Sequence, residues 1–267
     1  MLHDTSPPPS GSGVKFVDIG EASCNDNIAV LEANDPSVKF VDIGEASCTS
    51  DKASYIIHLA GRNIMVKYRI LQLDFLGVNC ILVWDTETRR ALIVDPGSSE
   101  SRIVAAVEEE QLQPEGVLLT HAHVDHLGRV PEITRRYHIP VWLHPSEMTV
   151  YRSRFNALLA WAPEIQELPE PTTKMPTAGL TFQVIHTPGH TPGGVCYHFP
   201  AEEFLLTGDT LFAGSYGRTD FPGGDQEAIF TSIREKLLTL PAETLVIPGH
   251  GPTTTIANER HNPLFND

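Results

Sequence analysis

Between Thr120 and His126 the chain reads Thr-His-Ala-His-Val-Asp-His, three imidazoles and a carboxylate within six residues. Buried imidazoles and carboxylates cost free energy unless each finds a partner, so this cluster makes poor core or helix material. Imidazole nitrogen and carboxylate oxygen are, however, ligand atoms that zinc, iron and manganese accept. In an extended turn, His121 and His123 point to one ion while Asp125 and His126 point to a neighbouring one. Three further candidates follow: His190 in Thr187-Pro-Gly-His-Thr-Pro-Gly-Gly194, Asp209 in Leu206-Thr-Gly-Asp-Thr210, and His250 in Ile247-Pro-Gly-His-Gly-Pro252. A glycine precedes each of them, allowing the backbone to turn sharply and approach a bound ion.

A single histidine near a strand end is ordinarily structural or solvated, and His250 alone has that reading. The cluster at His121, His123, Asp125 and His126, followed in order by Gly-His, Gly-Asp and Gly-His, carries the ligand assignment. The remaining histidines lack such a pattern: His3 and His58 lie early in the chain, His138 and His144 flank a predicted strand, and His186, His198 and His261 have no partner motif. No Gly-x-Ser-x-Gly elbow appears, which argues against Ser-His-Asp catalysis.

These residues need elements to position them. From Met65 onward strands and helices alternate. Val66–Phe75, Cys80–Trp84 and Ala91–Val94 read as strands, being rich in β-branched and apolar residues. Ser99–Leu112 reads as a helix with Ser98 or Ser99 as its cap, an apolar stripe of Ile103, Val104 and Val107, and Pro114 beyond its end. Val117–Leu119 and Val141–Leu143 are short strands around a helix at Pro131–Tyr137, and Ser146–Trp161 reads as a further helix. Leu180–Ile185, Val195–Phe199, Phe204–Leu206 and Leu245–Ile247 are strands, and Gln226–Leu238 is an amphipathic helix stopping before Pro241. Two sheets between helices bury all these apolar faces in a layered domain. The ligand candidates then fall in four loops that follow strands and converge on one edge.

The composition narrows the function. A formal net charge of −15 argues against nucleic-acid binding and against docking on an anionic membrane. Cys24, Cys48, Cys80 and Cys196 form no C-x-x-C pair and no disulfide framework, which fits a reducing cytoplasm. No apolar run of about 18 residues is present, and Met1–Gly13 is unlike a signal peptide. Hydrophobic residues make up 41% of the chain, enough for a sizeable core. The eleven residues of Val14–Cys24, VKFVDIGEASC, recur identically at Val38–Cys48. Two copies are too few for a solenoid. Residues 1–64 are therefore expected to be an appendage, outside a globular domain spanning 65–267, with a β-rich extension as the alternative.

His-x-His-x-Asp-His followed by Gly-His, Gly-Asp and Gly-His resembles the metallo-β-lactamase superfamily, over a match from about Met65 to Asp267. The resemblance implies an αββα sandwich of the mixed α/β (α+β) class. It implies two divalent ions, zinc first, with iron or manganese as alternatives. One is held by His121, His123 and His190, the other by Asp125, His126 and His250, and Asp209 bridges both. Asp95 matches a position that orients a metal-bound histidine, and ligand histidines commonly donate their other N–H to a carboxylate. A plain turn residue before Pro96-Gly97 is the other reading of Asp95.

Within that superfamily Asp209 argues against a true β-lactamase, whose branch lacks a bridging Asp there. Gly208–Asp220 and the ending Gly249-His-Gly-Pro-Thr-Thr resemble glyoxalase II, the hydroxyacylglutathione hydrolases, and their short bacterial relatives. The expected reaction is hydrolysis of a small thioester such as S-lactoylglutathione by a metal-bridging hydroxide, with Asp125 and Asp209 orienting the water. Only a short tail follows His250, so the C-terminal helical domain of full-length glyoxalase II is expected to be absent. The basic and tyrosine pair that grips glutathione is represented by Arg218 and Asp220, which leaves Arg218 to meet a substrate carboxylate or pair with Asp220 or Asp225. Gly217–Phe221 also resembles the persulfide dioxygenases, which implies a mononuclear iron site from His121, His190 and Asp209 as the alternative. A lactonase-type hydrolase and a non-enzymatic metal-binding module are the remaining readings.

Overall fold

The computed structural model describes residues 65–74, 76–153, 165 and 167–266, together with two short strands, β1 (Lys15–Phe16) and β2 (Val38–Lys39). β1 and β2, one from each copy of the repeat, pair in parallel and belong to a first unit, Met1–Ser50. All other described elements belong to a second unit, Asp51–Asp267.

The second unit opens with an antiparallel meander, β3 (Val66–Gln72), β4 (Asn79–Asp85) and β5 (Arg90–Val94). Helix α1 (Glu100–Glu109) crosses over to β6 (Gln113–Leu118), parallel to β5. Helices α2 (Val124–Leu127) and α3 (Val130–Tyr137) then lead to β7 (Val141–Trp142), parallel to β6. The first sheet is therefore ordered β3-β4-β5-β6-β7. A 3-10 turn, Pro145–Glu147, and α4 (Met148–Tyr151) follow. The second sheet begins with β8 (Gln183–His186), β9 (Val195–Phe199) and β10 (Phe204–Gly208), all antiparallel. A small hairpin of β11 (Leu211–Phe212) and β12 (Ser215–Tyr216) precedes α5 (Gln226–Ser232). β13 (Leu245–Pro248) lies parallel to β10, and β14 (Thr254–Thr255) and α6 (Ile256–Arg260) close the unit.

The layers follow from side-chain alternation. In β4, Ile81 and Val83 face the second sheet, while Cys80, Leu82 and Trp84 face the helices. Both faces are covered, and all seven β4 residues are buried, which explains why its sequence reads as a continuous apolar run. Between the sheets, Phe204 stacks on Phe199 and meets Tyr68 at a tilt, with ring centroids 4.4 and 4.9 Å apart. Ile103, Ile133 and Val130 cover the first sheet's outer face, and Ile229, Ile233 and Leu237 cover the second's. Each fully buried Leu, Ile or Phe adds about 1.5–3 kcal/mol. The result is the αββα sandwich. No helix among the described residues is long and apolar enough to cross a membrane.

Several boundaries differ from expectation. Ser99 stands at the α1 N-cap position, but its backbone is left-handed (φ 50) and its hydroxyl donates to Asp74 instead of capping the helix. A capping oxygen has to accept from the first helix N–H groups, and the left-handed Ser99 backbone departs from the extended conformation that capping uses. α1 ends three residues early, because Gln111 turns left-handed (φ 51) and Pro114 is taken into β6. The first strand ends at Gln72, and Phe75 lies outside the described residues. The helix expected over Ser146–Trp161 is described only to Ser153, and 154–161 lie outside the described residues. The helix expected to run to Leu238 gives way after Ser232 to a π-turn, Ile233–Leu237.

Candidate metal centre

The parallel pairs β5–β6 and β10–β13 end at the same edge, and their following loops carry most of the candidate residues. β5 delivers Asp95, β6 delivers His121 to His126, β10 delivers Asp209 and β13 delivers His250. His190 comes from the turn between β8 and β9. All seven ligand candidates are brought together. The motif is not one extended turn: Asp125 and His126 lie in α2, whose first turn closes on the His123 carbonyl. One helical turn is short enough to be held by that single acceptor, so His121 and His123 remain in the loop. Nor is the cluster excluded from the interior, since His121, His123, Asp125 and His126 are all at most 2% exposed.

Burial is tolerated because four imidazoles have their Nδ1 satisfied on the outer side. His126 Nδ1 donates to Asp95 Oδ2 at 2.8 Å, His190 Nδ1 to the Arg218 carbonyl at 2.6 Å, and His250 Nδ1 to the Leu76 carbonyl at 3.1 Å. Thr120 Oγ1 gives its proton to Asp95 Oδ2 at 2.6 Å, so it accepts from His121 Nδ1 at 3.1 Å. Those four bonds leave the Nε2 of each ring facing inward, where the neutral imidazole offers a lone pair to a cation.

The inward atoms converge on one small space. His123 Nδ1 and His190 Nε2 are 2.9 Å apart, and His126 Nε2 and His250 Nε2 are 3.3 Å apart. Asp125 Oδ2 lies 3.1 Å from His250 Nε2, and Asp209 lies 3.3 Å from His126, 3.6 Å from His190 and 3.6 Å from His250. His121 Nε2, Asp125 Oδ1 and Asp209 Oδ1 are buried without a hydrogen-bond partner. Unpaired lone pairs of this kind are what a metal ion takes up, so the residues fit divalent cations. The ligand atoms group as His121–His123–His190, His121–His126–Asp209 and Asp125–His126–His250, each within 4.8 Å.

The proton affinities divide along the same lines. Burial, reinforced by neighbouring imidazoles, holds His121 well below the ordinary histidine range and His123 down to about 3, and burial lowers His190 as well. Burial also opposes charge on His126, but Asp209, Asp95 and Asp125 together carry it well above the ordinary value. His250 is raised too, because its bond to Asp125 and the nearby Asp209 outweigh burial. Burial disfavours charge on Asp125 and Asp209, yet the surrounding imidazoles hold both low.

Three positions without a sequence signal help build the centre. Thr120 relays between His121 and Asp95, and its own N–H also donates to Asp95 at 2.8 Å. Asp95 itself has φ 52, a conformation that Asp tolerates better than most residues. Asn79 donates to the carbonyls of Pro248 and Gly251 at 3.0 Å each, on either side of His250. Glu147 reaches in from the 3-10 turn and accepts two backbone N–H groups. Gly249 packs so closely that a Cβ there would lie 2.4 Å from Asp209 Oδ1. Arg218 is paired with Asp220 through two 2.6 Å bonds and lies 3.9 Å over the Phe221 ring; Asp225 instead caps α5. Phe221 in turn meets the His123 ring at 5.7 Å, and Phe212 meets His250 at 6.2 Å.

A sandwich of this form with a His/Asp centre on its strand-end edge defines a metallo-hydrolase scaffold, and residues 73–250 match the family model of the metallo-beta-lactamase superfamily. The chain belongs to that superfamily. It is 36% identical over 198 residues to the hydroxyacylglutathione hydrolase GloC of Haemophilus influenzae, covering 70% of this chain and 92% of that one. It is 38% identical over 185 residues to the probable metallo-hydrolase YqgX of Bacillus subtilis, covering 66% and 88%. Among solved structures it is similar to TTHA1623 in a di-iron-bound form (TM-score 0.66, 39% identity, 73% of this chain and 98% of that one). It is also similar to the BLEG-1 B3 metallo-beta-lactamase (0.63, 36%, 75% and 100%) and to ETHE1 from Myxococcus xanthus (0.59, 31%, 73% and 83%).

Proposed function

We propose that the protein is a dinuclear metal-dependent hydrolase acting on a small thioester such as S-lactoylglutathione. The observation that carries this reading is the second ligand group, Asp125–His126–His250, beside His121–His123–His190, with Asp209 within 3.6 Å of His126, His190 and His250. A mononuclear oxygenase needs only two histidines and a carboxylate and leaves that second group without a role. The similarity to GloC favours an acyl-glutathione substrate.

His121, His123 and His190 would hold one ion and Asp125, His126 and His250 the other, with Asp209 shared. When bound, the ions supply an acidified water and a Lewis acid for the carbonyl oxygen. Asp125 and Asp209, held ionised by the imidazoles around them, orient that water by accepting its hydrogens. Asp95 and the carbonyls of Arg218 and Leu76 keep the ligand rings aimed inward. Phe221 lies beside His123 in one ligand group and Phe212 beside His250 in the other. The leaving thiolate is a weak base, so no side chain has to protonate it. Arg218, exposed beside Phe221, offers a guanidinium to a substrate carboxylate in exchange for Asp220.

The test is free-thiol release from S-lactoylglutathione under anaerobic conditions, with metal content measured on the same sample. We expect turnover without oxygen and close to two ions per chain. Oxygen consumption with glutathione persulfide, sulfite formation, one iron per chain and no thioester cleavage would establish a persulfide dioxygenase instead.

A further inference from the structure

Glu147 is fully buried, at 0% exposure, yet belongs to no ligand group. Its Oε1 accepts the Ala122 N–H at 2.9 Å and its Oε2 accepts the Gly193 N–H at 2.7 Å. Ala122 stands between His121 and His123, and Gly193 lies just beyond His190. One carboxylate therefore clasps the two loops that must meet for His121, His123 and His190 to face one another. The clasp has no slack, because a Cβ on Gly193 would fall 2.3 Å from the Glu147 nitrogen and 2.6 Å from its Cα. Burial pushes the carboxyl upward, but both oxygens face N–H donors, an arrangement that only the ionised form satisfies fully. A buried carboxylate is a poor choice for stability alone, since its desolvation cost is large. The other group is held differently: Asp95 and the Leu76 carbonyl hold the His126 and His250 rings, while Asn79 ties the backbone around His250.

We propose that Glu147 is a positioning residue for His121–His123–His190, setting the distance between its two loops and so the affinity of that group for its ion. The inference rests on the metal-binding reading of the centre. It predicts a selective effect. Glu147→Gln turns one acceptor into a donor that opposes either Ala122 or Gly193. Glu147→Asp keeps the charge but is too short to reach both N–H groups.

The experiment is a zinc titration of the chelator-stripped full chain against a competing chelator, for wild type, Glu147→Gln and Glu147→Asp. Each is repeated in a His250→Ala background, which cripples the other group. Wild type should bind two equivalents. In Glu147→Gln one equivalent should weaken about 10- to 100-fold, as for other residues that orient metal ligands, while the second changes by less than about threefold. Glu147→Asp should fall between, and the loss should persist in the His250→Ala background. Equal weakening of both equivalents, or unchanged titrations in both variants, would overturn the role of Glu147. Failure of wild type to bind two ions would overturn the metal-centre reading itself.

Discussion

Asp209 is the residue on which the two ligand groups meet, with His126, His190 and His250 all within 3.6 Å of its carboxylate. Its removal leaves five inward-facing imidazoles with one fewer counter-charge and takes a ligand from both proposed ions. Asp209→Ala is expected to lower the content of both metals and reduce kcat/KM at least about 100-fold, equivalent to about 2.7 kcal/mol. His250→Ala removes a ligand from one ion only, from the more open end of the centre, and should cost about tenfold less. Metal analysis with steady-state kinetics on the two variants checks the order, and intact metal content in His250→Ala would remove His250 from the ligand set. The ligand candidates were legible because their chemistry is written in residue type and close spacing. Glu147, Asn79 and Thr120 were not. Glu147 acts on backbone N–H groups 25 and 46 positions away, and Asn79 on carbonyls some 170 positions away. In the sequence each is an ordinary polar residue whose partners only the fold supplies.

The two ligand groups also differ as elements. One is carried by the loop after β6 and the β8–β9 turn; the other joins α2 to the loop after β13. Carboxylates crowd the second and raise His126 and His250, whereas burial lowers His121, His123 and His190. A metal ligand must be the neutral imidazole, so protons compete with the ion from a higher pH wherever the histidine is raised. As pH falls from 8 toward 5, the ion at Asp125–His126–His250 should leave first, and that at His121–His123–His190 should persist. Dialysis at stepped pH followed by metal analysis resolves two separate losses; a simultaneous loss would contradict the division. The elements themselves were readable where one period dominated. Val195–Phe199 matches its expected strand end for end, and the β4 apolar run marks a strand covered on both faces. Elements failed to show where local chemistry competes. Ser99 prefers Asp74 to its own helix, and one helical turn forms inside a motif whose alternation reads as extended.

At the scale of the whole molecule, the three apolar layers of the sandwich draw only on residues from Val66 onward among the described residues. The ligand candidates and the residues found to orient them, from Leu76 to His250, lie in the same span, as does the 73–250 family match. The layered fold was legible because strand and helix periods alternate from Met65 in an order that two sheets between helices satisfy. The meaning of the repeated VKFVDIGEASC was not, since an identical pair of segments specifies no core of its own. The physical expectation is that folding free energy resides in the sandwich, where each buried large apolar side chain contributes about 1.5–3 kcal/mol. A chain beginning at Met65 should therefore stay soluble, melt within about 3 °C of the full chain, a shift worth about 1 kcal/mol in a domain of this size, and keep its metal content and turnover. Differential scanning calorimetry on the two chains, with metal analysis and thioester assays run side by side, measures each quantity. A large drop in melting temperature with loss of solubility would show that residues 1–64 contribute to the fold. Unchanged melting with lost turnover would show that they act at the active centre.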